Sequence, residues 1–314
     1  MSDSVECVWD AQCRLAEGLV WDAAKQSMFF VDIKGMAVHA FTPDKGAQRS
    51  WPMPEMIGWL VPRQSGDWVA GFQSGVAALK LGQPSKIDWL HRIHKPNSPM
   101  RLNDAKADAQ GRLWFGSMNG QDESQPVGQF YRLDGDGQLK VVDSGYCVTN
   151  GPTFSVDGRT LFHTDSPART IYAFDVSADG ALSNKRAWVK FGDDEGFPDG
   201  MTTDADGNVW VAHWGGSRVT RRDAAGRVQQ TIALPVPGAG VCQASGPANP
   251  RTRPQTNSAG CGEAPRRKIV APVTLLTVAW IESRWARWNP PAGTSRSVPI
   301  CSVPSSTTHS SSIG

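Results

Sequence analysis

Four turn-and-strand segments of one design recur along this 314-residue chain at nearly constant spacing. They read PRQSGDWVAGF, DAQGRLWFGSM, SVDGRTLFHTD and DADGNVWVAHW, with turn glycines at Gly66, Gly111, Gly158 and Gly207. The steps between them are 45, 47 and 49 residues (66 to 111, 111 to 158, 158 to 207). WDAAKQSMFFVD, residues 21–32, is an earlier variant, and each segment is followed by a second alternating run such as MAVHAF, GVAALKL, GQFYRLD, TIYAFDV or SRVTRRD. Asp-Gly and Ser-Gly turns between alternating apolar runs mark β-hairpins. Self-similarity at 40 to 50 residues marks stacked supersecondary units. A four-stranded blade cannot bury both faces alone, and packing blades around an axis solves that problem. The pattern therefore predicts an all-β propeller. A β-sandwich would place its turns closer together, about every 8 to 12 residues.

Other classes fall away on composition. The formal net charge of +2 points to neither nucleic acid nor an acidic substrate. No apolar run reaches the roughly 18 residues of a membrane span. The N-terminal MSDSVECVWDAQCRLAEG lacks a basic and then apolar leader, so the expected location is the cytoplasm. Six cysteines (Cys7, Cys13, Cys147, Cys242, Cys261, Cys301) form no CxxC pair and read as scattered thiols of a reducing compartment.

The repeat stops near LPVPGAG, residues 234–240. From Gly238 onward there is no Asp, Phe or Tyr, and eight Lys+Arg face two acids, Glu263 and Glu282, a net +6 against −4 for the remainder. Two regions are expected: a propeller over 1–237, and an atypical Pro/Ser/Arg-rich tail over 238–314. The tail's composition is that of a disordered segment or of translation in a shifted reading frame.

Four blocks in order, LAEGLVWDAAKQSMFFVDIKG, RLNDAKADAQGRLWFGSM, TNGPTFSVDGRTLFHTDS and FPDGMTTDADGNVWVAHWGG, resemble the senescence marker protein/regucalcin/gluconolactonase family over about residues 5–237. The resemblance implies a six-bladed propeller, of which about five blades are recognisable here. Relatives continue with another blade and the strand that closes the ring, and the tail does not look like that sequence. The resemblance also implies a lactonase of sugar acid lactones with one divalent metal in its channel. Carried over by position, the metal ligands are Glu17, Asn150 and Asp199, and the substrate wall is Arg101 and Asn103, with Asp104 beside them. AEGLVW lacks the Pro that many members carry after the Gly, and WFGSM replaces the commoner W-x-G-T-M; neither change removes a ligand.

Two carboxylates and an amide oxygen suit a hard cation, Ca²⁺ first, with Mg²⁺ and Mn²⁺ compatible and Zn²⁺ or Fe²⁺ tolerated. Asp199 is the expected general base and Arg101 and Asn103 the groups that hold sugar hydroxyls. Taken singly, Glu17-Gly18, Asn150-Gly151 and Asp199-Gly200 are ordinary turn dipeptides, and the family order gives them their metal role. Asp157, Asp204 and Asp206 read as blade turns, Trp114 and Trp210 as blade core, and His213 as a candidate channel residue. No Ser sits in a G-x-S-x-G elbow, which leaves a serine esterase unsupported. The expected activity is opening of an aldonolactone, with a small-molecule sugar lactone as partner. A non-catalytic metal-binding propeller, or a chain inactivated by its altered C-terminus, stands as the alternative.

Overall fold

A computed structural model describes residues 6–235 and three further strands within 239–304. The opening strand is β1 (Glu6–Asp10). The first sheet holds β2 (Ala16–Asp22), β3 (Ser27–Asp32), β4 (Ala37–Thr42) and β5 (Ala47–Pro52). The second holds β6 (Ile57–Pro62), β7 (Trp68–Phe72), β8 (Gly75–Lys80) and β9 (Lys86–Arg92). The third holds β10 (Met100–Ala107), β11 (Leu113–Asn119), β12 (Gly128–Leu133) and β13 (Leu139–Tyr146). The fourth holds β14 (Thr149–Phe154), β15 (Thr160–Asp165), β16 (Thr170–Val176) and β17 (Leu182–Lys190). The fifth holds β18 (Phe197–Thr203), β19 (Val209–Trp214), β20 (Arg218–Arg222) and β21 (Val228–Ala233). Each is an antiparallel meander, and a sixth four-stranded sheet runs β22 (Ala239–Ser245), β23 (Leu275–Trp280), β24 (Pro299–Pro304) and then β1.

The innermost strands touch in cyclic order, β2 to β6, β10, β14, β18, β22 and back to β2, so the sheets surround an axis. The ring is joined by β1, which pairs antiparallel with β24 as the outer strand of the sixth sheet. Radial packing of the six sheets leaves each with only one short outer edge facing water. Of the expected tail, residues 238–314, the strands β22 to β24 are described, and the rest lies outside the described residues.

Burial follows from this packing. Every residue of β3 and of β11 is buried, because neighbouring blades cover both faces. The outer strand β9 alternates exposed and partly buried residues, as an outer edge facing water should. The repeated turns are held by carboxylates. Asp108 accepts the N–H groups of Gln110 and Arg112 on one oxygen, and Arg112 Nε (2.6 Å) and Trp114 Nε1 (2.9 Å) on the other. Asp204 repeats this with Asp206, Asn208, Trp210 and Arg221. Asp157 likewise closes its own turn on Ser155 and Arg159. Trp114 is fully buried and Trp210 partly so.

Candidate metal and substrate site

Each of the six innermost strands slips register where it nears the axis. The slips fall between Glu17 and Val20, Ile57 and Trp59, Leu102 and Ala105, Asn150 and Thr153, Pro198 and Met201, and Ala239 and Val241. A bulge bends a strand and re-aims its side chains, and such bulges gather beside functional sites. The residues at these slips include Glu17, Asn103, Asp104, Asn150 and Asp199, so the expected site residues meet at one level of the channel. Glycines make this approach possible. A Cβ on Gly58 would lie 2.7 Å from the carbonyl oxygens of Leu102 and Asn103. One on Gly151, whose φ is +49°, would lie 2.6 Å from Asp199 O. In the third sheet Asp104 occupies the glycine's place.

The polar groups form a directed chain. Arg101, 6% exposed, donates from Nη1 to Asn103 Oδ1 and to Leu102 O. Asn103 spends its two amide protons on Thr149 O and Asn150 Oδ1, both at 2.6 Å. Asn150 Nδ2 donates to Ser166 Oγ at 2.9 Å, and Ser166 donates onward to Pro198 O at 2.7 Å. Asp104 faces the other way along the ring, accepting the N–H of Gly151 (2.8 Å) and of Ala105 (2.7 Å). It also borders a small cavity of about 30 Å³ shared with Gly18, Trp59, Pro152 and Met201.

Three carboxyls and one guanidinium share this buried space. Burial, and then the like charge of Asp104, push the Glu17 carboxyl up to about 8, against opposing pulls from Arg101 and the Gly18 N–H. Burial and the charges of Glu17 and Asp104 hold Asp199 well above the ordinary carboxylate range. Asp104 is raised by burial and eased by the Ala105 N–H, Lys106 and the Gly151 N–H. Burial lowers Arg101, while Glu123, Glu17 and Asp199 support its charge. With all groups ionised, Glu17, Asp104 and Asp199 exceed Arg101 by two negative charges. Asp199 Oδ1 is buried without a hydrogen-bond partner among the described residues. An orphaned carboxylate oxygen that feels the charge of Glu17, on a strand that Ser166 ties to Asn150, offers the donor chemistry of a divalent cation, whose charge also offsets the surplus.

Two side chains here carried no signal in the sequence. Ser166 follows β15 and bridges the strands of Asn150 and Asp199. Glu123 lies in the β11–β12 loop and reaches the site by its charge. His213, the candidate channel residue, is instead core: its Nδ1 meets Glu195 O and its Nε2 meets Thr220 Oγ1, each at 2.8 Å, and burial drives its pKa down to about 4. Elsewhere, Cys13, Asp32 and His39 bring three ligand-type atoms within 4.8 Å. Asp32 there is already occupied by the N–H groups of Arg14, Leu15 and Gly35, His39 Nδ1 by Ser50, and burial pushes the Cys13 thiol up to about 12. That trio is best understood as a turn clamp beside an apolar cluster. Cys13 and Cys147 are free thiols among the described residues, and no helix among them is long and apolar enough to cross a membrane.

Comparison with known proteins agrees with this architecture. A regucalcin of Oryctolagus cuniculus is 34% identical over 75% of this chain and 80% of its own length. A pentonolactonase of Haloferax volcanii is 32% identical over 71% of this chain and 75% of its own. The crystal structure of a regucalcin from Agrobacterium tumefaciens, described as calcium-binding, superposes with a TM-score of 0.80 at 17% identity, over 96% of this chain and 95% of that one. Residues 15–251 match the family described as SMP-30/Gluconolactonase/LRE-like region, and the chain belongs to that family.

Proposed function

We propose that this chain is a metal-dependent lactonase that opens a sugar acid lactone, an aldonolactone such as gluconolactone, xylonolactone or arabinonolactone, to its acid. The observation that carries the reading is the unpartnered, buried Asp199 oxygen, which feels the charge of Glu17, with Arg101, Asn103 and Asn150 bonded in series in the same buried space. Glu17, Asn150 and Asp199 would hold one divalent cation, Ca²⁺ first and Zn²⁺, Mn²⁺, Mg²⁺ or Fe²⁺ as substitutes. Bound there, a cation would supply Lewis-acid polarisation of the lactone carbonyl.

Asp199 accepts a proton from the attacking water as the water oxygen bonds to the carbonyl carbon. The ring C–O bond then breaks, and the proton passes to the departing ring oxygen, leaving a hydroxy acid. Arg101 keeps its Nε and Nη2 edge for substrate oxygens, since Nη1 is committed to Asn103 and Leu102. Asn103 has spent both amide protons, so it meets a sugar hydroxyl as an acceptor, through Oδ1. Asp104, bonded to two backbone N–H groups, borders the substrate space and stiffens the junction of β10 and β14.

The test is a pH-stat assay of EDTA-treated protein on the three lactones, with each cation restored in turn and the uncatalysed rate subtracted. Proton release that needs a cation, and is lost in Asp199→Asn, is the expected result. A cation that raises the melting temperature while no lactone turns over faster than in buffer would replace this reading with the non-catalytic metal-binding propeller.

A further inference from the structure

The geometry points to Ser166 as the positioning residue that fixes the orientation of the Asn150 amide, and so presents Asn150 Oδ1 rather than Nδ2 to the cation. This inference rests on the proposed cation site at Glu17, Asn150 and Asp199.

A proton count carries it. A serine hydroxyl owns one proton and two lone pairs. Ser166 gives that proton to Pro198 O at 2.7 Å, so toward Asn150 it can act only as an acceptor. Asn150 must then turn its NH₂ to Ser166, as the 2.9 Å contact has it, and its oxygen to the opposite side. The other end of the chain imposes the same sense. Arg101 can only donate, which fixes Asn103 with its oxygen toward Arg101 and its NH₂ toward Asn150. A donor-only cation and an acceptor-only carbonyl thus bracket two amides whose flips would otherwise be free. Reversing Asn150 would set NH₂ against NH₂ at Asn103 and leave Ser166 with no donor, in a place where all four residues from Arg101 to Ser166 are 6 to 8% exposed. Unmade bonds in such surroundings are costly.

Ser166 also grips the strand that bears Asp199, because Pro198 is the residue before it. One hydroxyl therefore sets the spacing of two of the three ligands. Groups that orient metal ligands in this way typically change metal affinity by 10- to 100-fold when removed.

The experiment is calorimetric titration of EDTA-treated, dialysed protein with Ca²⁺ and, separately, Mn²⁺, together with melts in EDTA. In Ser166→Ala we expect affinity to fall at least tenfold for the cation that binds wild type, with the EDTA melt lowered as Asn150 Nδ2 and Pro198 O lose their partner. Ser166→Thr, which keeps the hydroxyl, should recover most of the affinity. In an Asn150→Asp background, whose carboxylate has no wrong face, Ser166→Ala should cost less than threefold. Affinity within twofold of wild type in Ser166→Ala, or an equal loss in the Asn150→Asp background, overturns the role of Ser166 while leaving the site standing. Wild type that binds neither cation, or Glu17→Gln that binds as wild type does, sinks the underlying site instead. Should Ser166→Ala not fold, Ser166→Cys, similar in size but a poor donor and acceptor, is read in the same way.

Discussion

Replacing Glu17 with Gln should stabilise the metal-free protein while removing its response to metal. The folded carboxyl sits at about 8, against an ordinary value of 4.5. A carboxyl raised in this way adds nothing below its unfolded pKa, and stability is lost as pH rises from there toward the folded pKa. At pH 7, still below the folded pKa, Glu17 keeps its proton in the fold while the unfolded carboxyl ionises; over a gap of about 2.5 units at 1.36 kcal/mol per unit, holding that proton costs about 3 kcal/mol. Glu17 keeps partial exposure, and solvent screening brings the expected effect to about 2 kcal/mol. Gln keeps an oxygen for the Gly18 N–H and, with no proton to give up on unfolding, carries none of this cost. In EDTA at pH 7 the variant should therefore melt about 4 °C higher, given roughly 2 °C per kcal/mol for a chain of this size. Between pH 5 and 7 wild type should lose stability relative to the variant. With excess cation the order reverses, because wild type gains about 2.7 kcal/mol at 100 times Kd and the variant does not. Scanning calorimetry in EDTA and in cation, at pH 5 and pH 7, reads all four corners. A Glu17→Gln variant less stable than wild type in EDTA at pH 7, with parallel pH slopes, would refute the account of three crowded carboxyls.

Other expectations are simpler. Arg101→Lys keeps the charge but loses the planar fork and its bond pattern to Asn103, so lactone KM should rise about tenfold or more with the EDTA melt little changed; an unchanged KM would count against a substrate role. His163 is fully buried, stacks 3.9 Å from Phe130, edges onto Tyr146, and has no hydrogen-bond partner for either nitrogen among the described residues. Burial drives its pKa from 6.5 to about 3, with Asp143 and Lys185 exerting smaller opposite pulls. Its contribution is intact above pH 6.5 and lost as pH falls toward 3, so between pH 7.5 and 5 wild type should lose about 2 kcal/mol that His163→Leu keeps, measured by urea unfolding at both pH values. Gly111→Ala meets nothing within 4 Å and should cost only the left-handed strain of φ +80°, about 1–2 kcal/mol, whereas Gly58→Ala drives a Cβ to 2.7 Å from two carbonyl oxygens and should cost clearly more in the same assay.

The hairpin repeat was plain in the sequence because Asp-x-x-Gly turns write their own chemistry: Asp108 and Asp204 hold their loops through local bonds. A second repeat lies upstream of each turn and passes unnoticed. Gly58, Asp104, Gly151 and Gly200 precede the turn glycines 66, 111, 158 and 207 by 8, 7, 7 and 7 residues. Those positions are the bulges, and one of them is aspartate, which hides the period. The site residues were named from block order; their convergence depends on strand register, which only long-range pairing sets. The commitment of Asn103's protons and the bridging of Ser166 arise between strands 32 to 47 residues apart, beyond the reach of local pattern. His213 suggested a channel residue by its neighbours, but alternation along β19 turns it into the blade, toward Glu195 and Thr220. The sixth sheet had no repeat to announce it, since its inner three strands fall where composition changes and its fourth is β1, at the other end of the chain.

The six register slips have a further consequence. Each blade brings one short stretch to the axis, and those whose side chains are described carry Glu17, Ile57, Asn103, Asn150 and Asp199 in turn. The distance between any two of these stretches is set mainly by the rotation from blade to blade, with bridges such as Ser166 trimming it locally. The chemistry of the channel is therefore separable from the scaffold, like characters set in a ring of fixed slots. An exchange at one slot changes what is presented from one compass direction and leaves the other five in place. Four of these slots are polar, whereas Ile57 is fully buried in an apolar cluster with Leu60 and Phe72, so the ring offers its polar groups from one side and a dry wall from the other.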